Sequence, residues 1–201
     1  MKSGTSILVF CVAISGSPVL GQTLPDIARH QGGSAGRIID IDSPVTRPAE
    51  LMLLSDLVIH GRVVNATVRL NSEQSEVVTE YTIAPIQAFK DRRFTSASTP
   101  GAVPTILVQR GGGSLVTADG LRLSTDINIF PESECFKLGE EVVLFLTYHP
   151  DTNVYSFAAG AFAAFRIRDG MVRPMTQEVA TRLRTQPFDA SAFFKELQRL
   201  R

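Results

Sequence analysis

The stretch DLVIHGRVVNATVRL, residues 56–70, decides the fold. It is long, rich in β-branched residues and free of proline, so it predicts a strand. Leu57, Ile59 and Val63 fall on one face, and Val58, Val64 and Val68 on the other. Apolar residues on both faces predict a central strand, or one that changes face along its length. Gly61 sits where a bulge would make that change. The next run, EVVTEYTIAPIQAF (76–89), alternates in polarity and follows the polar loop NSEQS, which makes it the hairpin partner. Pro85 predicts a bend there, or the end of the paired part.

Further strands follow at short spacing. VPTILVQR (103–110) is the third, and EEVVLFLTY (140–148) is the most apolar. HPDTN turns the chain into VYSFA, and GAFAAFRIRDGMVRPM reads as a hairpin on Asp169-Gly170. Asp119-Gly120 predicts a type I′ hairpin, because that turn needs positive φ at both central residues. Many strands with turn signals between them predict a barrel or a sandwich. The period changes near the C-terminus. TQEVATRLR places Val179 and Leu183 four apart. DASAFFKELQRLR opens with the N-cap Asp189 and sets Phe193, Leu197 and Leu200 on one helical face.

The first 21 residues read as a secretory signal peptide. Lys2 is followed by the apolar core ILVFCVAIS (7–15) and the breaker Pro18. Val19 and Gly21 occupy the −3 and −1 positions, which places cleavage between Gly21 and Gln22. No later apolar run reaches the ~20 residues that a membrane span needs, so the mature chain has no predicted transmembrane anchor. Export makes the protein periplasmic or extracellular. The mature chain keeps one cysteine, Cys135, and so has no intramolecular disulfide.

The organisation predicted is a signal peptide (1–21), a flexible segment (22–48), a β-barrel domain (49–174) and C-terminal helices packed on it (175–201). Within the flexible segment, RIIDID (37–42) reads as a short edge strand. PAELMLLS (48–55), at its end, reads as two helical turns. Twenty Lys and Arg balance twenty Asp and Glu, so there is no electrostatic footprint for nucleic acid.

Four stretches taken in order carry a resemblance: LSDLVIHGRVVNATV, EYTIAPIQAFK, ILVQRGGG and FKLGEEVVLFL. Together, over about residues 54–168, they resemble small exported bacterial domains and the netrin-like module of the tissue inhibitors of metalloproteinases. That resemblance implies a five-stranded antiparallel barrel of OB type with helices packed on it. Protease inhibition does not carry over. The inhibitors chelate the protease zinc through an N-terminal cysteine and are rich in disulfides. This chain is predicted to start at Gln22 and keeps one cysteine, and the inhibitors' Lys-Gly step is Lys90-Asp91 here.

No catalytic residue, cofactor site or metal site is predicted. Gly111, Gly112 and Gly113 lack the lysine and the following helix of a phosphate loop, so they read as a corner between strands. Ser114 lies outside any Gly-x-Ser-x-Gly elbow. His30, His60 and His149 are scattered. His149 with Asp151 reads as an ordinary turn, and His60 as a hydrogen-bonded side chain on the barrel wall, near Glu80 or another partner. Cys135, with Lys137 two residues on, reads as a spectator thiol. Asn65-Ala66-Thr67 is a formal glycosylation acceptor within a strand, and KDRR (90–93) is the one basic cluster. The function expected is that of a non-enzymatic exported domain that binds a protein or an envelope component. The alternatives are a secreted hydrolase, with His60 or His149 meeting Ser114, Cys135 or carboxylates, and a purely structural envelope protein.

Overall fold

The computed structural model describes residues 22–39, 47–91, 105–127, 136–175 and 187–201. The predicted cleavage residue Gly21, Cys135 and the 176–184 helical pattern lie outside these residues. The fold is mainly β, with three short helices and two sheets of mixed strand orientation.

The elements are α1 (Leu24–His30), β1 (Ser34–Ile39), α2 (Pro48–Leu54), β2 (Leu57–Leu70), β3 (Val77–Asp91), β4 (Ile106–Gly111), β5 (Gly113–Val116), β6 (Arg122–Ile127), β7 (Glu141–His149), β8 (Val154–Ala161), β9 (Ala164–Arg168), β10 (Met171–Pro174), β11 (Phe188–Asp189) and α3 (Ala190–Arg199). The larger sheet runs β11-β10-β9-β7-β2-β3-β4-β8, with a further pairing of β7 to β8. One edge of β7 meets β2, from Leu57↔Leu146 to Arg62↔Glu141. Its other edge meets β9 and then β8. Pairings followed from β7 through β2, β3, β4 and β8 therefore return to β7.

An all-antiparallel arrangement does not hold. β4 pairs with β8 in parallel at Val108↔Tyr155, and β1 pairs with β6 in parallel from Ser34↔Arg122 to Ile39↔Ile127. Parallel neighbours need a long crossover, and the segments between these strands are long enough to provide one.

The predicted hairpin of β2 with β3 forms, with register shifts at Val58/Ile59, His60/Gly61 and Val63/Asn65. Gly61 is required there. A Cβ would lie 2.6 Å from Ile83 Cγ2 and 3.0 Å from the Ala84 carbonyl oxygen. Pro85 does not end the pairing. It sits opposite Gly61 at the irregularity, and the ladder resumes to Asp91.

Residues 22–39 are more ordered than their composition predicts. Thr23 caps α1, its hydroxyl accepting from the Asp26 N–H at 3.3 Å, and Leu24, Pro25 and Ala28 are buried. Leu24 and Ala28 join Ala35, Val77, Leu121 and Leu123 in a small second core beside the sheet β1-β6-β5. A seven-residue helix burying so few side chains leaves too little periodicity to be read in sequence.

The two Asp-Gly steps differ. Asp169 and Gly170 both have positive φ (51° and 71°), which suits a two-residue loop between Arg168 and Met171. At 117–121 Gly120 alone is positive (85°), the Gly120 N–H bonds to the Thr117 carbonyl at 2.9 Å, and the Thr117 N–H to the Leu121 carbonyl at 3.0 Å. That is a three-residue loop closed by glycine, not a type I′ turn.

The main core joins Val142–Leu146 of β7, all fully buried, with Tyr81, Ile83, Phe89 and Phe165. Each such side chain stabilises the fold by about 1.5–3 kcal/mol. At α3 the Asp189 carboxylate accepts from the Ala192 N–H at 2.9 Å, and Phe193 and Leu197 enter the core, as the helical spacing predicts.

Candidate ligand site

The corner glycines join the two sheets. Gly112 and Gly113 have φ of 95° and 139°, where a side chain is strained. A Cβ on Gly113 would also lie 2.8 Å from Thr79 Oγ1 and 3.1 Å from Val68 Cγ1. The Thr79 hydroxyl donates to the Gly112 carbonyl at 2.7 Å. The run is a corner, and no helix follows it.

Beside this corner opens a pocket of about 260 Å³. One wall is the β2–β3 loop, through Asn71 and Glu76. The facing wall is the β7–β8 turn, through His149 and Thr152. Gln109 and Gly111 of β4, and Ser156 of β8, complete the polar rim, and Val78 and Val154 supply an apolar surface.

Both loops are held by their own side chains. Asn71 Oδ1 accepts from the Ser75 N–H at 2.9 Å and the Glu76 N–H at 3.2 Å, while its Nδ2 donates to Ser75 Oγ at 3.0 Å. Gln74, at φ 54°, bonds back to Asn71, and its carbonyl accepts from the Leu24 N–H of α1 at 2.7 Å. Across the pocket Asn153 sits at φ 55°, and its side-chain oxygen accepts from the Tyr148 hydroxyl at 2.8 Å. Left-handed φ is common for Asn in turns and uncommon for Gln, which is held here by its two backbone hydrogen bonds.

The pocket's chemistry is hydrogen bonding. His149 Nε2 lies 2.6 Å from Ser156 Oγ, and Arg37 of β1 pairs with the Glu76 carboxylate at 2.9 Å. Carboxylate, imidazole, two carboxamides and two hydroxyls therefore face one small space.

Two charged clusters lie elsewhere. His60 is buried, with Nε2 3.1 Å from Glu141 Oε2 and its ring 5.0 Å from that of Phe194. Its partner is Glu141, not Glu80, which instead holds Arg69 at 2.5 Å. Arg62 binds the other Glu141 oxygen at 2.7 Å, and the hydrogen bonds from Arg62 and His60 hold that carboxyl below its ordinary value of 4.5. At Glu140, partial burial pushes the carboxyl up. The Lys137 N–H, the Arg168 hydrogen bond and the charges of Arg166 and Arg168 outweigh this and hold it below 4.5. Arg166 also lies over the Phe136 ring, 5.9 Å from its centroid.

The remaining sequence candidates stay apart. His30 ends α1, exposed. Ser114 lies on β5, outside the pocket. Asp151 stands in the turn after His149 without joining its contact with Ser156. Asn65 of the acceptor triplet is exposed on β2. Among the described residues, no group of three or more His, Cys, Asp or Glu is placed to hold a metal ion. Among the pocket residues, sequence reading singled out His149, read as part of an ordinary turn, and Gly111, read as part of a corner. Asn71 and Glu76 share the β2–β3 loop, but Gln109 and Ser156 come from two other segments, and no spacing links the three.

Compared with known families and curated proteins, the chain matches no family model and no curated protein.

Proposed function

We propose that this chain is an exported, non-enzymatic binding module on an OB-type barrel, and that its pocket takes a saccharide unit of an envelope component. The observation that carries the reading is the pocket's place. It lies between the loop after the first barrel strand (β2–β3) and the turn joining the fourth and fifth (β7–β8). OB barrels take oligonucleotides and oligosaccharides at that end. The circuit of pairings through β2, β3, β4, β8 and β7, with β4 parallel to β8, supports the barrel.

Chemistry selects between the two ligand classes. An oligonucleotide needs a basic groove and exposed aromatic platforms. The lining holds no lysine, arginine, phenylalanine, tyrosine or tryptophan, and the charge of its one carboxylate, Glu76, is balanced by Arg37 of β1. A polyhydroxylated, uncharged ligand matches amides and hydroxyls above an apolar surface. The test is titration of the purified chain with soluble oligosaccharides released from the source cell envelope, followed by calorimetry. Gln109→Ala and His149→Ala should each weaken binding about three- to tenfold, the loss expected for a neutral hydrogen bond, with the melting temperature unchanged. Absence of binding to every envelope fraction overturns the reading.

The contact between His149 and Ser156 favours a second reading, a hydrolase with Ser156 as nucleophile and His149 as base. Among the described residues, no carboxylate hydrogen-bonds to His149 to orient it. Ester or glycoside hydrolysis that disappears in Ser156→Ala would establish this reading in place of the first.

A further inference from the structure

Among the described residues, the far half of β2 has no partner strand along one edge. Pairing with β7 stops at Arg62↔Glu141. Val63 makes the last links, its N–H to the Glu140 carbonyl at 2.9 Å and its carbonyl from the Gly139 N–H at 2.8 Å. On its other edge β2 stays paired with β3, from Asn65↔Thr82 to Leu70↔Val77. Every residue from Val64 to Arg69 is exposed, Val64 at 47% and Val68 at 39%. Among the described residues, no strand pairs along this edge, although Gly113 of β5 approaches Val68 from the face of the sheet.

Proteins blunt such edges with lysines, prolines or inward charges. The run VNATV (64–68) contains none. The arginines on either side are already neutralised, Arg62 by Glu141 at 2.7 Å and Arg69 by Glu80 at 2.5 Å.

We infer that the chain pairs with a second copy of itself along residues 65–69, antiparallel across a two-fold axis at Thr67. In that register Thr67 faces the same threonine of the other copy, Ala66 faces Val68, and Asn65 faces Arg69. Opposed residues of an antiparallel pair share a face, and each of these pairs does so because the segment alternates regularly once past the bulge at Val64. Thr67 and Thr67 can exchange hydroxyl hydrogen bonds. The Asn65 carbonyl can accept from the Arg69 guanidinium. Ala66 and Val68 form an apolar pair on the other face. No like charges oppose one another, and a two-fold interface closes at two copies, which suits a bare edge that must not propagate.

The experiment is sedimentation velocity on the purified chain over a wide range of concentration, with Thr67→Lys beside it. The expected result is a concentration-dependent dimer in the parent and at least about tenfold weaker association in Thr67→Lys, since the two lysines would face each other. The melting temperature of the variant monitors its fold. Independently, Thr67→Cys, with Cys11 and Cys135 replaced by serine, should form a disulfide-linked dimer under mild oxidation. Opposed Cα atoms in this register lie about 4.5–5.5 Å apart, within disulfide reach. The exposed control Leu53→Cys on α2 should not. A parent that stays monomeric throughout, a dimer that survives Thr67→Lys, or a Thr67→Cys chain no faster to cross-link than the control would each overturn the inference.

Discussion

Gly113 is the residue on which the joint between the two sheets depends. Its φ of 139° and the 2.8 Å approach of Thr79 Oγ1 leave no room for a methyl group. Gly113→Ala should lower stability by about 1–3 kcal/mol, measured as a drop in the urea midpoint. Gly120→Ala is the contrast. It shares a positive φ but meets nothing within 4 Å, so it should cost less. Sequence alone marks the three glycines as a corner. It does not show which of them is crowded, because Thr79 and Val68 approach from distant parts of the chain. The carboxylates Glu140 and Glu141 titrate below their ordinary value of 4.5 in the folded state. Their contribution is therefore fully present above that value and is lost as pH falls through the lowered folded values. Stability should decline on acidification below about pH 4.5. Glu140→Gln, which removes the partner of Arg166 and Arg168, should lower stability at neutral pH by about 1–3 kcal/mol and flatten that decline. An unchanged acid slope in Glu140→Gln would remove Glu140 from the account.

Among the elements, α3 separates local from tertiary stabilisation. Its cap and its buried face are legible in the sequence, because Asp189 precedes a clear helical period and Phe193 and Leu197 are four apart. Phe193 meets the rings of Phe165 and Phe188 at 5.6 and 5.5 Å. Phe193→Ala should cost about 3–5 kcal/mol, and Asp189→Ala about 1 kcal/mol. Equal losses in thermal melts would mean that the helix is held by its cap and not by the core. The strands β2, β3, β4, β7 and β8 are equally legible, each carrying a long β-branched or alternating run. The short helix α1 is not, and β1 is legible only in its second half, where it overlaps the edge strand predicted over 37–42. Composition rich in glycine and polar residues predicts flexibility there. What orders them is a parallel partner 88 residues away, Ser34 against Arg122, and a shared small core, neither of which leaves a local signature. Parallel pairing escapes sequence reading for the same reason, because nothing in β4 or β8 states its direction relative to the other.

At the scale of the whole molecule, the candidate site shows the same limit more sharply. A sheet is assembled from periodic strands, and periodicity can be read. A pocket is assembled from the ends of strands and from loops, and its residues share only their place in space. Asn71, Gln109, His149 and Ser156 converge because the strand circuit brings the β2–β3 loop beside the β7–β8 turn. The edge segment 65–69 ends close to the pocket wall at Asn71, but Thr67 itself is not among the residues that line the pocket. Pairing of two copies through Thr67 and saccharide capture can therefore be tested separately, and Thr67→Lys should leave the pocket's affinity unchanged.

The most direct measurement is an amide-resolved NMR titration of the folded chain with envelope oligosaccharides from the source cells, following the side-chain amides of Asn71 and Gln109 and the backbone amides of Thr152 and Ser156. The account predicts saturable shifts at these four residues and little change at Thr67 or across α3. Saturable binding that leaves all four unmoved, or no binding to any fraction, would contradict the assignment of the pocket as the ligand site.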